Sequence, residues 1–189
     1  MGKLVVTEFV SLDGVFEDPG GAEGYEHGGW TFEYDRGQDG DSFKLDEVME
    51  AEVQLLGRVT YEGFAAAWPS REGPFADKLN RDPKYVVSTT LTEPEWQNTK
   101  LISGRVSEAI TKLKHETDGV ILVAGSGTLV RMLLEADLVD ELRLMLFPTI
   151  LGRGRRLFPD GIDRLKLKLA ESRTVGSDGV QIQIYTRAE

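Results

Sequence analysis

Val120-Ile-Leu-Val-Ala124, followed by Gly125-Ser126-Gly127, constrains the fold of this chain more than any other stretch. A short, continuous apolar run rich in β-branched residues reads as a strand buried on both faces, which requires packing layers on both sides of its sheet. The glycines make a tight turn. Leu129, Leu133 and Ala136 then recur at helical spacing, with Val130 and Leu134 beside them. A buried strand that turns directly into a helix belongs to an α/β fold. It also exposes backbone N–H groups at the helix N-terminus, which favour an anion such as a phosphate. The plainer alternative is that the glycines only turn the chain.

The remaining composition narrows the function. A chain of 189 residues suits one domain with a full core, so residues 1–189 are read as a single domain. The net charge of −10 argues against binding nucleic acid or anionic membranes. The absence of cysteine removes disulfides and thiolate chemistry. His27 and His115 are the only histidines, so no metal site is expected. No apolar run reaches the roughly 20 residues of a membrane span. The N-terminus enters a strand without the layout of a signal peptide, and a cytoplasmic location is expected.

In chain order, Lys3 to Val10 reads as a strand, broken by Ser11-Leu12-Asp13-Gly14. Residues 17 to 41 form a glycine- and acid-rich loop with alternating Trp30, Phe32 and Tyr34, expected to cover a site and to contain a short strand. A helix is expected over Ser42–Glu50, with Asp41 or Ser42 as N-cap. Val53–Leu56 is a strand, and a helix follows from Val59 to Ala67, stopped by Pro69 and the polar segment to Pro74. Lys84–Ser88 and Thr99–Ser103 are strands, and Arg105–Glu116 is a helix. After the Val120 strand and its helix come a strand at Glu141–Phe147 and two long strands, Leu165–Val175 and Val180–Arg187. Ser177-Asp178-Gly179 joins the last two as a hairpin. This order predicts a mixed, mostly parallel sheet of about eight strands, with a C-terminal antiparallel hairpin and helices on both faces.

Three strand ends deliver glycine or small polar residues: Gly57-Arg58-Val59-Thr60, Ser88-Thr89-Thr90 and Gly125-Ser126-Gly127-Thr128. Ligands of open α/β sheets bind beyond the carboxyl ends of the strands. Two of these turns feed helices and suit two phosphates of one dinucleotide. Arg58 and Ser88 suit a third, the 2′-phosphate of NADP. Competing motifs fail. Val130 stands where the Rossmann fingerprint needs its third glycine, Ser126 lacks the flanks of a nucleophile elbow, and there is no Walker A lysine.

Gly57-Arg58-Val59-Thr60-Tyr61-Glu62 resembles the Gly-Arg-x-Thr-aromatic-Glu signature of the dihydrofolate reductase superfamily, and the Gly125 turn is similar to that superfamily's second glycine-rich turn. More closely, the chain resembles the reductase-domain family of riboflavin biosynthesis, the C-terminal half of bifunctional deaminase–reductases. Ser11-Leu12-Asp13-Gly14, Leu56 to Glu62, Gly125 to Leu129, and Pro148-x-x-Leu151-Gly152-x-Gly154-x-x-Leu157-Phe158 carry that resemblance, in order, over nearly the full chain. It implies a three-layer dihydrofolate-reductase-like fold, NADPH as cofactor and a homodimer. It implies that Arg58 and Thr60 hold the pyrophosphate and 2′-phosphate region, Ser88 and Thr89 the adenosine side, and Gly125 to Leu129 the pyrophosphate. Gly57, Val59, Ser103 and Ala124 fall among the cofactor-binding residues. Val10 and Ser11 would border the nicotinamide, and Asp13 and Gly14 would begin a loop over it. The arginine often found after the second glycine turn is Thr128 here, which lowers the expected discrimination for the 2′-phosphate.

Asp41 sits 16 residues before Gly57, the spacing of the pterin-binding carboxylate in folate reductases. There it would hydrogen-bond the substrate ring and support protonation; alternatively it is a helix cap. Asp13 is the second candidate catalytic carboxylate. Trp30, Phe147 and Arg153 are the substrate candidates. Trp30 and Phe32 either roof the pocket or simply pack. Arg153, Arg155 and Arg156 either attract a phosphorylated substrate, edge a dimer or form a solvated loop. The expected activity is an NADPH-dependent reductase acting on a pyrimidine- or pterin-like heterocycle, resembling 5-amino-6-(5-phosphoribosylamino)uracil reductase. The alternatives are dihydrofolate reductase activity and a non-catalytic nucleotide-binding module of the same fold.

Overall fold

A computed structural model describes residues 1–188 of the chain. The elements are β1 (Lys3–Ser11), a short 3-10 helix (Trp30–Glu33), α1 (Gly37–Glu50), β2 (Ala51–Gly57), α2 (Arg58–Ala67), α3 (Pro74–Arg81), β3 (Lys84–Val87), β4 (Thr99–Ile102), α4 (Val106–Glu116), β5 (Val120–Ala124), α5 (Gly127–Glu135), β6 (Glu141–Phe147), β7 (Leu167–Val175) and β8 (Val180–Arg187). The strands form an eight-stranded sheet ordered β4-β3-β2-β5-β1-β6-β8-β7. β2 pairs in parallel with β3 and β5, and β3 with β4. β8 runs antiparallel to both β6 and β7. This is the mixed, mostly parallel sheet with an antiparallel C-terminal hairpin that the strand and helix patterns predict. Among the described residues no helix is long and apolar enough to cross a membrane.

Contacts divide the chain into two compact units, one built from Met1–Val6 with Leu45–Val139 and the other from Thr7–Lys44 with the segment from Asp140 onward. The first unit holds β2 to β5 and α2 to α5. Its core packs Leu56, Tyr61, Leu79, Val86, Trp96 and Leu122, all buried, and each contributes roughly 1.5–3 kcal/mol by leaving water. Lys84 stands buried within it. Its ammonium donates to the carbonyls of Leu79, Asn80 and Asp82 at 2.8, 3.2 and 2.7 Å, closing the C-terminal end of α3, and it lies 4.3 Å over the Trp96 ring. Burial pulls its pKa down to about 8, against the raising effect of Asp82.

The second unit packs Trp30, Phe43, Met145, Phe147, Val175, Val180 and Ile182. Phe147 is at the centre. Phe9, Trp30 and Tyr34 meet it edge to face at 5.8, 5.3 and 5.8 Å between ring centroids, the arrangement favoured by the aromatic quadrupole.

Three expectations need correction. Residues 30–33 form a 3-10 helix and not a strand, so Trp30 and Thr31 are buried while Phe32 is 78% exposed. The helix expected at Ser42 begins five residues earlier, at Gly37, whose N–H is held by Asp35 Oδ1 at 2.7 Å. Asp41 is therefore inside α1 and is not its cap; glycines at 37 and 40 hide the first turn from the sequence pattern. α3 begins at the end of the expected polar break and fills the stretch before Lys84, to which the pattern assigns no element. Pro74, which reads as part of that stop signal, occupies the first turn of α3, where the missing proline N–H costs nothing.

Candidate functional site

Because β4, β3, β2 and β5 are parallel, their carboxyl ends share one edge of the first unit. Ser103 follows β4, Ser88 follows β3, Gly57 ends β2 and Ala124 ends β5. Register aligns them: Gly57 pairs with Val87 and Leu55 with Val123, so Gly57 and Gly125 stand level. α2 and α5 both start at this edge, with Gly57 and Ser126 as their N-caps.

The two glycine turns are built as one piece. Ser126 has left-handed backbone (φ 67°), and its hydroxyl does not cap its own helix. It reaches across instead, accepting the Gly57 N–H at 2.8 Å and donating to Thr60 Oγ1 at 3.0 Å. The approach is close enough to require glycine at 125 and to leave little room for a side chain at 57. A Cβ on Gly125, itself at φ +60°, would stand 2.9 Å from Thr60 Oγ1, and one on Gly57 would stand 3.2 Å from Ser126 Cβ. With the Ser126 hydroxyl committed elsewhere, the first-turn N–H groups of Gly127, Thr128 and Leu129 are available to an anionic ligand.

The other residues of this edge have defined tasks. Ser88, 7% exposed, accepts the N–H groups of Thr90 and Leu91 at 3.1 and 2.9 Å and so shapes the turn after β3. Thr89, Ser103 and Thr128 are exposed. Arg58 extends from the first residue of α2 and is held bidentately by Glu62 one turn on, at 3.1 and 2.8 Å. Val59 is exposed beside it. Tyr61, between Arg58 and Glu62 in sequence, is buried and accepts the Trp96 N–H at 2.9 Å. Two helix N-termini and the side chains of Arg58, Thr89, Ser103 and Thr128 thus lie along one edge of the first unit.

The second unit carries the other candidates. Val10 and Ser11 are buried at the end of β1. Ser11 Oγ donates to Asp13 Oδ1 at 2.6 Å and accepts the Val15 N–H at 2.9 Å. Asp13 also accepts the N–H groups of Leu151 and Gly152 at 3.2 and 2.8 Å. Burial raises the Asp13 pKa, but the bonds from Ser11, Gly152 and Leu151 together outweigh it and hold the carboxyl below its ordinary value. An anion so tied fits anchoring rather than proton delivery. Gly14 completes the turn at φ +83°, its carbonyl accepting the Leu157 N–H at 3.0 Å. The Ser11–Gly14 turn thus clamps the segment 149–157.

Asp41 is exposed on α1 and ion-paired with Arg36 at 2.7 Å. Trp30 and Phe147 are 1% and 0% exposed, and Trp30 Nε1 donates to the Glu17 carbonyl at 2.8 Å. As placed, both support the unit's core. Arg153 is exposed and pairs with Glu26 at 3.2 Å. Arg155 pairs with Glu17 at 2.9 Å and Glu23 at 2.6 Å. The basic cluster therefore holds the acidic loop that precedes Trp30. Opposite charge in 17–26 and 153–155 is the sequence signal for that match. Asp18, which no sequence pattern marks, is buried at the loop's centre and accepts the N–H groups of Ala22 and Tyr25 at 2.7 and 3.2 Å.

Comparisons with known proteins agree with this architecture. The family described as the RibD C-terminal domain matches residues 2–181. The uncharacterized protein YyaP of Bacillus subtilis (strain 168) is 29% identical over 95% of this chain and 93% of its own. The uncharacterized protein YwjB of the same organism is 28% identical, over 98% of each chain. Among solved structures, a Shewanella sp. PV-4 protein named for riboflavin biosynthesis superposes with a TM-score of 0.79 at 23% identity, covering 99% of both chains. Dihydrofolate reductase from Enterococcus faecalis, complexed with NADP(H), gives 0.59 at 16% identity over 99% of this chain and 97% of that one. The fold is the dihydrofolate-reductase-like fold.

Proposed function

The chain belongs to the RibD C-terminal domain family, and we propose that it is an NADPH-dependent reductase of a small heterocyclic substrate. The observation that supports this reading is the bond from the Gly57 N–H to Ser126 Oγ, which ties two glycine turns and two helix N-termini into one edge, the kind of edge that suits an anion. There Gly57, Arg58, Val59, Thr60, Ser88, Thr89, Ser103 and the turn from Ala124 to Leu129 hold the dinucleotide. When bound, it supplies hydride from its nicotinamide. The protein's own contribution is binding and orientation. First-turn N–H groups meet the pyrophosphate charge, Arg58 meets the 2′-phosphate, and Ser88 holds the turn that follows β3. Titration of the protein with NADPH, followed by tryptophan fluorescence and by thermal unfolding, tests the reading. No response at millimolar cofactor overturns it.

One observation favours a second reading, a nucleotide-binding module without chemistry. Asp13 is anchored by three donors, and Asp41 is exposed and paired with Arg36, so neither carboxylate is presented as a proton donor. Binding of NADPH without its oxidation across pterin, pyrimidine and quinone substrates would favour that module. For assembly we propose a homodimer. Leu165, Leu167 and Leu169 are 43%, 38% and 50% exposed at and before β7, the last strand in the sheet order, and offer an apolar surface to a second copy. Sedimentation of the purified chain as a monomer at micromolar concentration would exclude it.

A further inference from the structure

β3 and β4 are parallel neighbours, so the chain between them has to return from the carboxyl end of β3 to the start of β4. Residues 88–98 make that return without helix or strand. They leave from the edge where Gly57 pairs with Val87, so Arg58 and Ser88 each stand one residue beyond level strand ends. From there the two chains part, one into α2 and the other into this segment. Buried Trp96 pins the segment. Its indole N–H donates to Asn80 Oδ1 at 2.8 Å, its carbonyl accepts the Thr99 hydroxyl at 2.5 Å, and the Lys84 ammonium lies over its ring. These partners belong to α3, β4 and β3. The fourth is on α2. Tyr61 Oη accepts the Trp96 N–H at 2.9 Å, and among the described residues this is the hydrogen bond that joins α2 to residues 88–98.

Thr60 and Tyr61 point about 100° apart around α2. Thr60 Oγ1 is tied to Ser126, and Tyr61 Oη to Trp96. The first turn of α2 is thus fixed from both sides, against the turn after β5 by one residue and against the segment after β3 by the next. We propose that Tyr61 is a positioning residue that sets cofactor specificity: its phenol fixes the spacing between the first turn of α2, which carries Arg58, and the Ser88 turn, and with it the fit of the 2′-phosphate. The proposal rests on the reductase reading for its ligand. Tyr61 is buried and touches no cofactor; it acts through where α2 and the segment stand. The pyrophosphate lies on the other side, at the turn that Ser126 registers, and does not depend on this bond.

Tyr61→Phe keeps the ring and removes the acceptor. Fluorescence titration of the full chain with NADPH and with NADH, below the unfolding transition, reads the effect. NADPH should weaken about fivefold, the size of one hydrogen bond, and NADH by less than about twofold, so the preference for NADPH falls. A merely structural role would weaken both alike. Thr99→Val removes the hydroxyl that holds the Trp96 carbonyl and leaves α2 alone; it should lower thermal stability and keep the parent preference. In the parent chain, the Trp96 amide should exchange with solvent more slowly under saturating NADPH than under saturating NADH. An unchanged preference in Tyr61→Phe, the same fall in Thr99→Val, or equal Trp96 exchange with the two nucleotides would overturn the proposal. A parent chain that binds neither nucleotide would reject the reductase reading and this proposal with it. Binding with an unchanged preference in Tyr61→Phe would reject this proposal alone.

Discussion

Ser126 Oγ accepts the backbone N–H of Gly57 at 2.8 Å, joining residues 69 apart in sequence at the level ends of two parallel strands. A serine in left-handed backbone, with its hydroxyl turned away from its own helix, costs local stability. Here it fastens the ends of β2 and β5 and leaves the α5 N-terminus open to an anion.

Ser126→Ala removes the acceptor for Gly57 N–H and the donor to Thr60. It should destabilise the fold by about 1–2 kcal/mol and weaken NADPH binding about tenfold, because the turns lose their common registration. Thermal unfolding and a fluorescence titration read the two effects. Unchanged affinity in the folded variant would separate the bond from cofactor binding.

Arg58 is the cation in the Gly57–Thr60 turn, and Glu62 holds it at 2.8 Å. Arg58→Gln should weaken NADPH about tenfold more than NADH, the loss expected for one charge-assisted contact to the 2′-phosphate. Glu62→Gln frees the guanidinium and should move the ratio of the two dissociation constants the other way. Equal loss of both cofactors in Arg58→Gln would place the arginine on the pyrophosphate instead.

Asp13 has a pKa held below the ordinary 3.8 in the folded chain: burial raises it, and the bonds from Ser11, Gly152 and Leu151 together outweigh burial. Its contribution to stability is therefore complete above 3.8 and disappears as pH falls through the lowered folded value. Asp35, lowered by Ser177 and the Gly37 N–H, acts in the same direction. Asp13→Asn should flatten the acid limb of a stability–pH curve without removing it. Identical acid limbs for the variant and the parent chain would show that the anchor does not persist in solution.

Lys84→Met keeps the stem as far as Cε and removes the ammonium that donates to three carbonyls at the end of α3. The Asn80 carbonyl keeps Gln97 Nε2 at 2.9 Å, and leaving those of Leu79 and Asp82 without the ammonium should cost about 2–4 kcal/mol. Urea unfolding measures this loss. A variant as stable as the parent would mean that water replaces the ammonium there.

The elements set by local pattern are legible in the amino-acid sequence. The apolar run at 120–124, the alternation in 180–187 and the turn at Ser177–Gly179 specify strands through nearest-neighbour chemistry, and the glycine turns mark where strands become helices. Local pattern fails where tertiary contacts decide. Gly37 and Gly40 read as loop because glycine is a poor helix former, yet Asp35 fixes the first N–H of α1 there. Trp30, Phe32 and Tyr34 alternate like a strand, but one central ring, Phe147, draws Trp30 and Tyr34 inward and leaves Phe32 exposed. Sequence alone determined the α/β sheet and the glycine turns with their potential for anions, because these follow from residue type and spacing. Only the tertiary structure decided that Ser126 belongs to Gly57 and that Arg153 and Arg155 serve Glu26, Glu17 and Glu23. Partners in a polar network are chosen by which groups the fold brings within about 3 Å, and spacing along the chain does not carry that information.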